Sequence, residues 1–244
     1  VCLEMNTFPT EAALLFHSLV QIEKHEFLGV RDKELYLPKF QACDSHLMCP
    51  PFMGRNYKKG GLVVLAINPG GGNHKSEARV YGDGILYPIV EKFKSVEGQP
   101  SICYWEEFVP VFKEAKKSYP IYQTLLHILN ASKSDLDDIC YLNFLPYRVR
   151  NDKYPTTKGL MREVIPQCIN KFVEPSLRIF EPSVVLSFGK QVDKYIDQFW
   201  VDFPYYRVPW DRSRASKTLE GRAQVSEARE KSKELLTSWA ANRR

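Results

Sequence analysis

No C-x-x-C pair occurs among the 6 cysteines of this 244-residue chain, so neither a disulfide scaffold nor an iron–sulfur or zinc-ribbon site is indicated. Cys43, His46 and Cys49 fall close together in CDSHLMC, but they lack a fourth ligand and the two cysteines stand five residues apart, so a loop with buried thiols is the simpler reading and no metal is expected. Long hydrophobic runs are also missing. The longest, such as Leu62 to Ile67, reach about six residues against the roughly 20 of a membrane span, so no membrane partner is expected. The first residues lack the basic start and apolar stretch of a secretion signal, which makes a cytoplasmic protein the expectation. Internal repeats and low-complexity stretches are absent too.

What is present is an ordinary globular composition, 44% hydrophobic and 26% charged, which excludes disordered, collagenous and coiled-coil chains. The length suits one domain with its own core, and a monomer is expected: an N-terminal helix and irregular extension over 1–59, then a core over 60–244. The net charge of +5 is uneven. From Arg148 onward there are 19 basic and 12 acidic residues, against 15 and 17 before it. A basic second half suits a polyanionic partner, although a solvated helix face would explain such a run equally well.

Apolar spacing predicts a helix over Glu11 to Glu23 with Thr10 as its N-cap, followed by a stretch from Phe27 to Lys59 rich in Pro, Gly, Asn and Asp that reads as irregular and surface-lying. Leu62 to Ile67 is then an unbroken β-branched run closed by turn residues, the pattern of a strand buried on both faces. Similar runs follow at Ile139 to Phe144, Val184 to Phe188 and Tyr205 to Val208, with helical patterns at Ile85 to Lys94, Ile121 to Leu129, Thr157 to Phe180, Lys190 to Phe199 and Glu220 to Ala241. Strands alternating with helices predict an α/β fold, a three-layer α/β/α sandwich around a central four-stranded, mostly parallel sheet. In such sheets ligands bind beyond the carboxyl ends of the strands, which points to the loops after Ile67, Leu142, Phe188 and Val208.

The first of these loops, Asn68-Pro69-Gly70-Gly71-Gly72-Asn73-His74-Lys75-Ser76, is the most informative segment. Its three glycines strip side chains from the backbone at the mouth of the sheet, for a tight turn or for close approach of a ligand. A phosphate-binding P-loop does not fit, because aligning Lys75-Ser76 with that motif puts Pro69 and His74 where glycines are required.

LAINPGGG resembles the first motif of the uracil-DNA glycosylase superfamily, above all the branch of mismatch-specific uracil and thymine-DNA glycosylases, whose strand ends in I-N-P-G. Order and spacing extend the resemblance: a second strand carries Asn143 near its end, a third ends in Ser187-Phe188-Gly189-Lys190, and a fourth is followed by a Pro-containing basic loop. The shared architecture covers about residues 60 to 240. The resemblance implies a monofunctional DNA glycosylase without metal or organic cofactor, with DNA as partner, which flips a base out of the stack before cleaving its N-glycosidic bond.

By that resemblance Asn68 would orient the attacking water, acting by position in a dry pocket since an amide is a poor base. A turn asparagine bonded to its own backbone is the plainer alternative. Pro69, Gly70 and Gly71 would line the base, Asn143 would meet its polar edge through both ends of the amide, and Tyr87 or Tyr81 would supply the aromatic face beneath it. Either tyrosine would serve equally well in the core. The fourth loop departs from the family, with Val208-Pro209-Trp210-Asp211-Arg212-Ser213-Arg214 where relatives carry a histidine or asparagine before Pro-Ser. Asp211 would act on the leaving base or pair with an arginine. Arg207, Arg212, Ser213, Arg214 and Lys217 would grip phosphates, Trp210 would wedge into the stack or pack in the core, and Lys75 and Lys190 border the site on the DNA side.

The missing histidine bears on substrate. Uracil leaves readily as an anion, whereas a cytosine-type base wants a proton donor. The triple glycine leaves space for a bulky base, and a superfamily branch excises glucosylated hydroxymethylcytosine from phage DNA in antiviral defence, so both substrates stay open. The alternative class is a catalytically inactive nucleic-acid-binding protein of the same fold.

Overall fold

A computed structural model describes residues 8–22, 24–27, 48–49, 51–67, 77–96, 103–116, 122, 125–126, 129–130, 135–147, 158–188, 190–199 and 206–210, together with five helical positions between 230 and 241. Its elements are α1 (Phe8–Val20), α2 (Lys24–Phe27), β1 (Phe52–Met53), β2 (Leu62–Ala66), α3 (Glu77–Lys94), α4 (Cys103–Lys116), β3 (Ile139–Asn143), α5 (Lys158–Cys168), α6 (Glu174–Phe180), β4 (Val184–Phe188), α7 (Lys190–Phe199) and β5 (Tyr206–Trp210). The sheet has five strands in the order β1-β3-β2-β4-β5. β2, β3, β4 and β5 are mutually parallel and β1 runs antiparallel to β3, which makes an open mixed sheet in an α/β chain.

Every residue of β2, β3 and β4 is buried, so both faces of the central sheet are covered. This is why these segments read as unbroken apolar runs: a strand with no solvent face has no reason to alternate. Burying each Val, Leu or Ile contributes about 1.5–3 kcal/mol, which also pins the register, since a one-residue slip would carry each side chain to the opposite face. Ring stacking locks α4 over one face. Phe112 stacks on Phe52 at 4.7 Å and lies 6.1 Å from Tyr141, and Phe52 and Tyr141 are register partners.

Several expectations need correcting. The segment from Phe27 to Lys59 is not surface-lying where it is described: Phe27, Met48, Cys49, Phe52, Met53 and Tyr57 are all core residues. Phe52 and Met53 show no strand period because they pair with the edge of β3 for two residues, and among the described residues that pairing adds a fifth strand to the four expected. Thr10 lies inside α1 rather than capping it, since the helix starts at Phe8 with Pro9 in its first turn, where a missing N–H costs nothing. α4 was not expected, yet Phe108, Phe112 and Ala115 repeat at helical spacing on its buried side.

The fourth strand is Tyr206–Trp210, two residues beyond its expected end, and takes in Pro209. A proline is tolerated there because β5 pairs only with β4 and lies at the sheet edge. Trp210 therefore ends a strand instead of riding in the following loop. The expected helix Thr157 to Phe180 is present from Lys158 to Phe180 and continuous, its hydrogen bonding widening to a π turn over Ile169–Val173 between α5 and α6. Pro175 follows directly, and without an N–H it cannot close the helical ladder onto Lys171, a defect the wider turn absorbs. No helix among the described residues is long and apolar enough to cross a membrane.

Candidate functional site

Parallel strands share one carboxyl end, and register brings the ends of four segments into one row. Ala66 stands opposite Asn143, Leu65 opposite Ser187, and Phe188 opposite Trp210. At roughly 4.8 Å between neighbouring strands, the points where the chain leaves β2 and β5 lie about 10 Å apart, with β4 between them. α7 also begins at this end, so Lys190 heads a ten-residue helix whose first N–H groups face away from the helix body at the carboxyl edge of β4.

The link between β2 and β3 continues past the strands. Phe144 N–H donates to the Ala66 carbonyl and Leu145 N–H to the Ile67 carbonyl, both at 2.8 Å. The second bond holds the peptide unit that leads into position 68. The segment after β3 is pinned from its other side as well, because Cys49 N–H donates to the Pro146 carbonyl at 2.7 Å and the Phe144 ring meets Tyr195 of α7 edge-on at 5.8 Å. Phe144 and Tyr195 are thus supports that the sequence reading passed over, their only signal being membership of apolar runs.

Asn143 ends β3 at 3% exposure, and its amide oxygen, Oδ1, is buried with no hydrogen-bond partner among the described residues. An acceptor left this way costs about 1–3 kcal/mol, as do the buried Tyr122 hydroxyl and Asp137 Oδ1 before β3, which also lack partners among the described residues. Ser187, in β4 on the far side of β2, is also completely buried. The ends of β2, β3 and β4 are the neutral residues Ala66, Asn143 and Phe188, so this part of the site offers an amide and apolar walls rather than an acid or base. Earlier along β3, burial pushes the Tyr141 phenol and the Cys140 thiol well above their ordinary ranges, so both stay neutral and unreactive.

Tyr87 lies on α3, half-buried and packed against the core, and Tyr81 lies one and a half turns earlier on the same helix. Arg207 pairs in register with Val185, on β5. Asn68, Pro69, Gly70, Gly71 and Lys75, and likewise Asp211, Arg212, Ser213, Arg214 and Lys217, lie outside the described residues, as do Cys43 and His46. What topology establishes is where those two loops leave the sheet: both start at the end that holds Asn143. Compared with known proteins, the chain matches no family model and no curated protein.

Proposed function

We propose that this chain is a monofunctional DNA glycosylase built as a three-layer α/β/α sandwich, which draws a modified or deaminated base out of DNA and hydrolyses its N-glycosidic bond to leave an abasic site. The observation that carries the reading is the buried, unpartnered Oδ1 of Asn143 at the carboxyl end of a parallel strand. That oxygen accepts a hydrogen bond from a flipped base, from a ring N–H of the uracil type or an exocyclic amino group of the cytosine type, while the amide nitrogen donates to the neighbouring base oxygen or nitrogen. In the unliganded chain the oxygen is closed to solvent, so base entry requires the shell around it to open.

Asn68 follows the peptide held by Leu145 and positions the water that adds to C1′ of the sugar. The base leaves with the electron pair of the broken bond and takes up a proton, with Asp211 the candidate donor when the base is a poor leaving group. The basic stretch from Arg207 to Arg222, with five cationic residues against two acidic ones, supplies phosphate contacts, joined by Lys190 and the start of α7. Removal of glucosylated hydroxymethylcytosine from phage DNA and removal of uracil are the two substrates this arrangement suits.

The test is incubation with DNA panels carrying uracil, thymine mismatches, hydroxymethylcytosine and its glucosylated form, with mass spectrometry of freed bases. One free base is expected, and Asn68→Ala should lower its release by about 100-fold or more while DNA affinity stays within about twofold. Affinity for DNA should fall about tenfold or more between 50 and 200 mM salt if the basic half follows phosphates. Salt-dependent binding without release of any base would leave a nucleic-acid-binding protein of the same fold, and a flat salt response would remove nucleic acid as the partner.

A further inference from the structure

We draw no further inference here: the strongest candidate, the cluster before β3 in which the Tyr122 hydroxyl and the second carboxylate oxygen of Asp137 lack partners beside Lys113, is closed to solvent at both atoms, and nothing in the structure shows a ligand that would occupy it.

Discussion

At the amino end of the sheet the chain turns back on itself through main-chain hydrogen bonds, whereas the carboxyl end holds Asn143, whose buried Oδ1 has no partner among the described residues. Gly54 N–H donates to the Ile139 carbonyl and Asn56 N–H to the Asp137 carbonyl, both at 2.8 Å, and Gly60 N–H donates to the Glu181 carbonyl at 2.7 Å. Lys59 adds a 2.7 Å bridge to the Glu181 carboxylate, which raises the pKa of the lysine, and Lys113 bridges Asp137 at 2.6 Å. Most of the polar groups that close this end find partners inside the protein. At the other end the ladder between β2 and β3 closes as far as Leu145, and Asn143 is still left unsatisfied. Unpartnered groups do not by themselves separate the ends, since the Tyr122 hydroxyl and Asp137 Oδ1 are also buried without partners among the described residues at the amino end. The difference is that one end closes on its own main chain and ion pairs, while the other ends in a neutral amide beside the points where the chain leaves β2 and β5.

The largest effect should come from the carboxyl end. Asn143→Leu keeps the branched shape and removes the unmet acceptor while adding volume at a buried site, so if the proposed activity is right base release should drop by about 100-fold or more while folding stability falls by no more than about 1–2 kcal/mol. Paired activity and urea-denaturation measurements check this, and a variant that loses stability together with activity would make Asn143 a structural residue. At the amino end the pattern should reverse. A Cβ at Gly54 would lie 2.3 Å from the Asp137 carbonyl oxygen, so Gly54→Ala should separate β1 from β3 and cost about 3 kcal/mol. Protein that remains folded should release bases at nearly the parent rate.

Between the two ends, burial raises the Cys140 and Cys168 thiols well above their usual range. A group whose pKa is higher folded than unfolded contributes stability that is complete below its unfolded pKa and is lost as pH rises above it. Stability should therefore fall above about pH 8.5, by about 1.4 kcal/mol per thiol per pH unit. Denaturation curves between pH 8 and 10 should show this slope, flattened in the Cys140→Ala/Cys168→Ala double variant. Tyr122→Phe deletes a buried hydroxyl that has no partner and should stabilise the fold by about 1 kcal/mol, which thermal melting would register. A clear loss instead would mean that this hydroxyl is satisfied in solution.

The smallest change is expected at Glu181, which caps α6 in a left-handed conformation with φ 45°. Glu181→Gly relieves that backbone at about 1 kcal/mol but gives up the exposed Lys59 pair, worth a few tenths, so the net gain should stay under about 1 kcal/mol.

β2 and β4 were legible because a strand covered on both sides must be apolar throughout, and Val184 to Phe188 falls where the run predicts. β1 was not legible. Two paired residues carry no period, and only the edge of β3 turns Phe52 and Met53 into strand. Pro209 concealed the end of β5 for a related reason, since whether a proline may sit in a strand depends on which neighbours that strand has. At the site, Asn143 was named from a resemblance in the order and spacing of strand-end motifs, but the sequence could not reveal that its oxygen lacks a partner among the described residues.

The sequence by itself determined the alternation of buried strands and helices, the excess of positive charge after Arg148 and the run of glycines after Ile67, because each depends only on neighbouring residues. Tertiary structure decided the strand order, the antiparallel edge and the lone amide at the end of β3. These depend on which distant segments meet, and hydrogen-bond satisfaction is settled only once every neighbour is in place.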